Sequence, residues 1–287
     1  MLKSQLVDIN GRALGTHDIE GVGTTLVTTS YPHSEFYMEV VRGSVPGHRM
    51  VQKFCANDSM SSGVEFLTLN GGASYTYAVV PETVDVVSSL GADVSGSTGA
   101  AEVTIYGLDG DYREIQEVIA LNGAGAVSSA RKYLRIYRMK CTGEVGTFGS
   151  NQGNLTLDGN VTSNVYAYIP IGYGQTQLGT YTVPANHTAF IVQGSAGINA
   201  DLGGAAGTRE GEIQVWIRIL GASGLEAWRM MRRFNVKNTG TGTVTGLFGT
   251  PIQIDEKTDV RIMGENQSNS SAMYFEWHMV VVENEFL

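Results

Sequence analysis

The chain has 287 residues, 42% of them hydrophobic and 16% charged, with a formal net charge of −9. This hydrophobic content excludes the intrinsically disordered class, and 28 acidic against 19 scattered basic residues leave no positive field for a phosphate backbone, which excludes nucleic acid as a partner. No apolar run approaches the ~20 residues that cross a bilayer, so no membrane partner is expected. The 37 glycines and 13 tyrosines, in a chain rich in Val and Thr, point to strands and turns, and the predicted fold class is all-β.

Residues 1–62 read as an extended N-terminal arm and a connecting strand. Leu2, Leu6, Ile9 and Leu14 are separated by glycines and polar residues that give no continuous apolar face, so these side chains are expected to be buried against a neighbouring subunit. The run Phe36-Tyr37-Met38-Glu39-Val40-Val41 is predicted to be a strand.

Residues 63–165 form a first predicted domain, a β-sandwich. Val84, Val86 and Ser88 share one face by period-two alternation, as do Val103 and Ile105, and the glycine-rich stretch 91–100 between them reads as a loop. The turn Gly107-Leu108-Asp109-Gly110-Asp111 leads into a strand that places Ile115, Ile119 and Leu121 together. Asn122-Gly123 then closes it, because both residue types accept positive φ. Leu134 and Ile136 fall on opposite phase to Arg135 if the strand at 133–139 is half-buried.

Residues 166–287 form a second predicted β-sandwich, jelly-roll-like, with about eight antiparallel strands. Ile213, Val215, Ile217 and Ile219 are expected to be inward while Gln214, Trp216 and Arg218 face out, and Gly221-Ala222-Ser223-Gly224 reads as a four-residue hairpin loop. Met273, Phe275, Trp277, Met279 and Val281 line one face, with Glu276 and His278 on the other.

The chemistry-bearing residues do not converge. Cys55 and Cys141 have neither metal-ligand nor disulfide-framework spacing and are expected to be free thiols. Asp109 and Asp111 lack the further oxygen ligands of a calcium loop, and the glycines near Gly194 and Gly203 have no lysine or following helix to hold phosphate. No catalytic residue, no cofactor and no metal is expected. The stretch Trp228-Arg229-Met230-Met231-Arg232-Arg233-Phe234 stands out, since Trp, Met and Arg are enriched at interfaces. With Trp228, Met230, Arg232 and Phe234 on one side, it predicts an interface edge carried by Trp228, Arg229, Arg232 and Arg233.

Gly107-Leu108-Asp109-Gly110-Asp111-Tyr112, Leu121-Asn122-Gly123, Tyr133-Leu134-Arg135-Ile136-Tyr137-Arg138 and Gly149-Ser150-Asn151-Gln152-Gly153-Asn154 carry a resemblance to structural proteins of tailed bacteriophage virions, a family frequent in phages of aquatic bacteria. The similarity extends to Gly174-Gln175-Thr176, Tyr181-Thr182-Val183-Pro184-Ala185 and Pro46-Gly47-His48-Arg49, about two thirds of the chain. The resemblance implies a non-enzymatic virion component, made in the host cytoplasm, with copies of itself and other virion proteins as partners. The tail, neck or fibre-attachment region is the expected location. A capsid decoration protein is the alternative, and a module that binds host surface glycan through aromatics such as Trp216 and Tyr274 is a further one.

Overall fold

The computed structural model describes residues 16–19, 23–26, 33–61, 63–70, 75–200, 208–221, 224–238, 243–267 and 270–287. The chain divides into two compact units, Met1–Pro46 and Gly47–Leu287. The first contains a two-stranded antiparallel sheet of β1 (Thr16–Ile19) and β2 (Gly23–Leu26), and a helix, α1 (His33–Val41). The helix corrects the strand predicted for Phe36–Val41. Six residues do not distinguish the two periods, and only Val40 of the run is buried while Met38 and Val41 are exposed, the sparse burial of a short surface helix.

The second unit begins with β3 (His48–Met60), β4 (Gly63–Phe66), β5 (Val84–Ser88), β6 (Ala100–Leu108), β7 (Glu114–Ala120), β8 (Val127–Ser128), β9 (Arg135–Val145) and β10 (Leu155–Gly159). It continues with β11 (Val165–Ile169), β12 (Thr180–Thr182), β13 (His187–Ala200), β14 (Arg209–Arg218), β15 (Leu220–Gly221) and β16 (Gly224–Leu225). The last strands are β17 (Arg229–Asn238), β18 (Thr243–Ile254), β19 (Asp259–Asn266) and β20 (Ser271–Glu283). Every pairing among these strands is antiparallel, so the protein is all-β as its composition predicts.

Two hydrophobic cores organise the unit, each lined from two sheets. The first gathers residues of the sheet ordered β11-β10-β5-β8 and the sheet ordered β7-β6-β9; Val84, Val86, Leu155 and Leu157 cluster with Val103, Ile105, Ile119 and Met139 there. Their period-two spacing puts all of them on the covered face. The second core gathers residues of the sheet β18-β13-β20-β3 and the sheet β12-β19-β14-β17, with β4 also paired to β19. Met273, Phe275, Trp277, Met279 and Val281 pack with Ile213, Val215, Ile217 and Ile262 in it, as expected for these positions; Ile219, also expected inward, lies beyond β14 and is half-buried, and Gln214, expected to face out, is buried. Phe275 and Trp277 stack with ring centroids 5.7 Å apart.

Three local features depart from the sequence reading. Leu220 pairs with Leu225 and Gly221 with Gly224, so the expected four-residue loop is a tighter hairpin whose first and last glycines belong to strands. The register of β14 and β17 shifts so that Trp216 faces Met230 and Val215 faces Arg232. Met231 is therefore the extra residue of a bulge, and the phase inverts there: Arg232 and Phe234 follow the core side, Met230 and Arg233 the outer side. The one-sided row of Trp228, Met230, Arg232 and Phe234 is corrected accordingly. Finally, Arg135 is 3% exposed although it alternates with the buried Leu134 and Ile136, because a carboxylate from another sheet receives it.

Candidate functional site

A buried lysine marks the place where β3 passes β9. Along β3, Val51, Lys53 and Cys55 stand opposite Met279, Trp277 and Phe275 of β20, so Lys53 occupies an inward position in an otherwise apolar row. It is 3% exposed. Its amine donates to the main-chain oxygen of Tyr137 and sits 5.9 Å from the centre of the Tyr137 ring, while no carboxylate among the described residues pairs with it. Burial, reinforced by the nearby Arg138 guanidinium, pushes the Lys53 amine down to about 7.

A bulge in β9 produces this meeting. Tyr106 pairs with Arg138 and Gly107 with Ile136, which leaves Tyr137 as the extra residue, packed against both cores. The close passage requires Gly107, since a Cβ there would lie 2.1 Å from the main-chain oxygen of Arg135.

Above Lys53 opens a cleft of about 570 Å³ walled by Arg49, Arg138, Lys140, Tyr106 and Tyr137, with no acidic residue in its lining. Arg49 is balanced by Glu114, with Nη2 2.7 Å from Oε1, and the Tyr137 hydroxyl donates to the same carboxylate at 3.2 Å. Arg138 Nη2 donates to Gln52 O at 2.6 Å, and Lys140 Nζ lies 5.1 Å from the Tyr106 ring centre. Lys53, Arg138 and Lys140 thus meet at one opening without a carboxylate partner among the described residues.

A second polar cluster is closed. Asp259, fully buried, accepts from Arg135 Nε at 2.7 Å and Nη2 at 3.0 Å, from Arg218 Nη2 at 2.8 Å and from Thr182 Oγ1 at 2.7 Å. Arg135 belongs to a strand of the first core and Asp259 to a strand of the second, so this ion pair ties the two together. Tyr77, Trp228 and Trp216 stack over the arginines: Arg218 Cζ is 4.8 Å from the Tyr77 ring centre, and Arg261 Cζ is 4.1 Å from that of Trp228 and 5.4 Å from that of Trp216.

Of the sequence-predicted interface residues, Trp228 is half-buried within this stack and is not a free anchor. Arg229 is exposed and paired with Glu226, Arg233 Nη1 lies 3.4 Å from Glu212 Oε2, and Arg232 is exposed on the bulged strand. Leu2, Leu6, Ile9 and Leu14 lie outside the described residues. Trp216 donates its indole N–H to Gln214 Oε1 at 2.9 Å. Cys55 and Cys141 are both free, and burial pushes both thiols up. Asp109 Oδ1 accepts the main-chain N–H groups of Asp111 and Arg113, each at 2.9 Å, which is a turn-stabilising role. Among the described residues no three His, Cys, Asp or Glu side chains gather as a metal site.

No family model matches the chain, and no curated protein matches it. Among solved structures it is similar to the VP2 subviral particle of infectious bursal disease virus, at 11% identity and TM-score 0.20 over 87% of this chain and 78% of that one. A structure of the Gt strain of the same virus aligns at 12% identity and TM-score 0.18 over 83% of this chain and 75% of that one. Likeness at this level carries no inference about fold or function.

Proposed function

We propose that the chain is a non-enzymatic structural component of a bacteriophage virion, in the tail, neck or fibre-attachment region, that assembles with copies of itself and with other virion proteins. The observation that carries this reading is β17. This ten-residue strand ends its sheet, pairs with β14 alone among the described strands, and exposes Met230 and Met231 at 41% and 43% beside Arg232 and Arg233. A long edge with apolar and guanidinium groups offers main-chain hydrogen bonds and contact area to a neighbour. The resemblance to tailed-phage structural proteins supports the same conclusion.

In this reading each core with its two covering sheets is a β-sandwich domain, the second jelly-roll-like, and the segment with Leu2, Leu6, Ile9 and Leu14 adds to an adjacent subunit. Capsid decoration is the variant of this role at another place in the particle. The reading is tested by labelling gradient-purified virions with antibody to the chain. Labelling of tail, neck or fibre base is expected; labelling spread over the head transfers the role to decoration, and particles without the chain refute it. A chain lacking residues 1–30 is expected to fold but to fail to incorporate.

A further inference from the structure

We propose that the cleft between β3 and β9 binds a small oxyanion ligand, through a phosphate, sulfate or carboxylate group held by Lys53, Arg138 and Lys140. The protein is acidic overall, yet this opening is lined by four cations and no acid. One of the four, Arg49, is neutralised by Glu114; the other three have no acidic partner among the described residues. An ammonium has three donors, and the only acceptor of the buried Lys53 amine among the described residues is the Tyr137 carbonyl. A buried amine without a counter-charge is driven toward its neutral form, and a bound oxyanion would supply the missing charge. Arg138 and Lys140, held by Gln52 O and the Tyr106 ring, retain further donors at the rim. The strands that place these groups are fixed by ladder pairing, so the site is preorganised. At about 570 Å³ the cleft admits a single oxyanion or one acidic sugar unit and excludes a duplex or a lipid surface. Two sources share this chemistry, a free inorganic anion and an acidic group on a host-surface sugar. This inference does not depend on the assembly role.

The test is titration of the full-length protein, separately with inorganic phosphate, inorganic sulfate and glucuronate, at pH 6 and pH 8.5, followed by calorimetry and by amide shifts in β3 and β9. At least one probe is expected to bind at pH 6. Since phosphate titrates in this range itself, the pH comparison is read on the other two, whose binding is expected to weaken several-fold at pH 8.5 as Lys53 loses its proton. The charged and titratable groups that face the cleft and this amine are Arg49 and Cys55 of β3, Tyr106 of β6, and Tyr137, Arg138 and Lys140 of β9, with Glu114 of β7 paired to Arg49. Arg138→Gln and Lys140→Gln, both at the rim, are each expected to weaken binding about tenfold, or ~1.4 kcal/mol, with the melting temperature unchanged. Arg229→Gln, on the remote β17, is expected to have no effect. Tightest binding of glucuronate identifies the sugar acid as the ligand class, and tightest binding of an inorganic ion identifies the free anion. The proposal is overturned if no probe binds at pH 6, or if neither rim variant weakens binding.

Discussion

Replacing Lys53 by methionine is expected to stabilise the protein, and to do so most at low pH. In the folded chain the amine titrates at about 7, against ~10.4 when unfolded. Between these values the unfolded state binds more protons, so stability rises with pH across that interval, and below it the cost of the buried charge is fully present. Worked from the two pKa values, this cost is roughly 4–5 kcal/mol at pH 6.5 and roughly 3 kcal/mol at pH 8.5. Loss of the hydrogen bond to Tyr137 O offsets ~1 kcal/mol. Lys53→Met should therefore gain roughly 3 kcal/mol at pH 6.5, and the gain should shrink by about 2 kcal/mol by pH 8.5. Above pH 8.5 the buried thiols of Cys55 and Cys141, both pushed up, begin to oppose the trend, so the comparison stops there. Urea unfolding of both proteins at pH 6.5, 7.5 and 8.5, in a buffer without oxyanions, measures it. A destabilised variant, or a gain that does not change with pH, refutes the reasoning.

Asp259→Asn leaves Arg135 and Arg218 without their shared counter-charge, and a loss of roughly 3–5 kcal/mol in denaturant unfolding is expected; a loss under ~1 kcal/mol would contradict the account of this ion pair. Gly107→Ala forces a methyl against the Arg135 main-chain oxygen and should cost roughly 1–3 kcal/mol by the same assay. Asp93 accepts from Ser88 Oγ and from the N–H groups of Ala100, Gln152 and Gly153. Asp93→Ala should therefore cost more than ~2 kcal/mol and speed proteolysis in the loops around 91–99 and 146–153, and unchanged cleavage there would count against it.

Much of the strand content was legible because the covered faces repeat with period two. Ile213, Val215 and Ile217 and the inward positions of β20 reach the second core, Ile219 does not, and Val84, Val86 and Ser88 are all buried. What period two does not encode is where a partner comes from. Arg135 sits between apolar neighbours and reads as solvent-facing, yet its carboxylate lies 124 positions away in sequence. The bulge at Met231 was hidden for a similar reason, since an extra residue leaves no mark on composition and changes the face of everything after it. The α1 helix was missed because six residues fit either period. The site at Lys53 did leave a signal: in Val51-Gln52-Lys53-Phe54-Cys55 a cation takes the phase of Val51 and Cys55, a violation of patterning of the kind found at functional positions.

The pairing of β20 has a consequence for biosynthesis. It lies between β13 and β3, so this inner strand of the four-stranded sheet is translated after both of its neighbours. While the ribosome works through the intervening residues, β3 and β13 have emerged but lack the strand that joins them. Their complementary edges stay open for the whole interval, and self-association of nascent chains competes with folding. A chain that stops before Ser271 never closes this sheet, so a late nonsense mutation is expected to yield insoluble protein rather than a shortened but functional one.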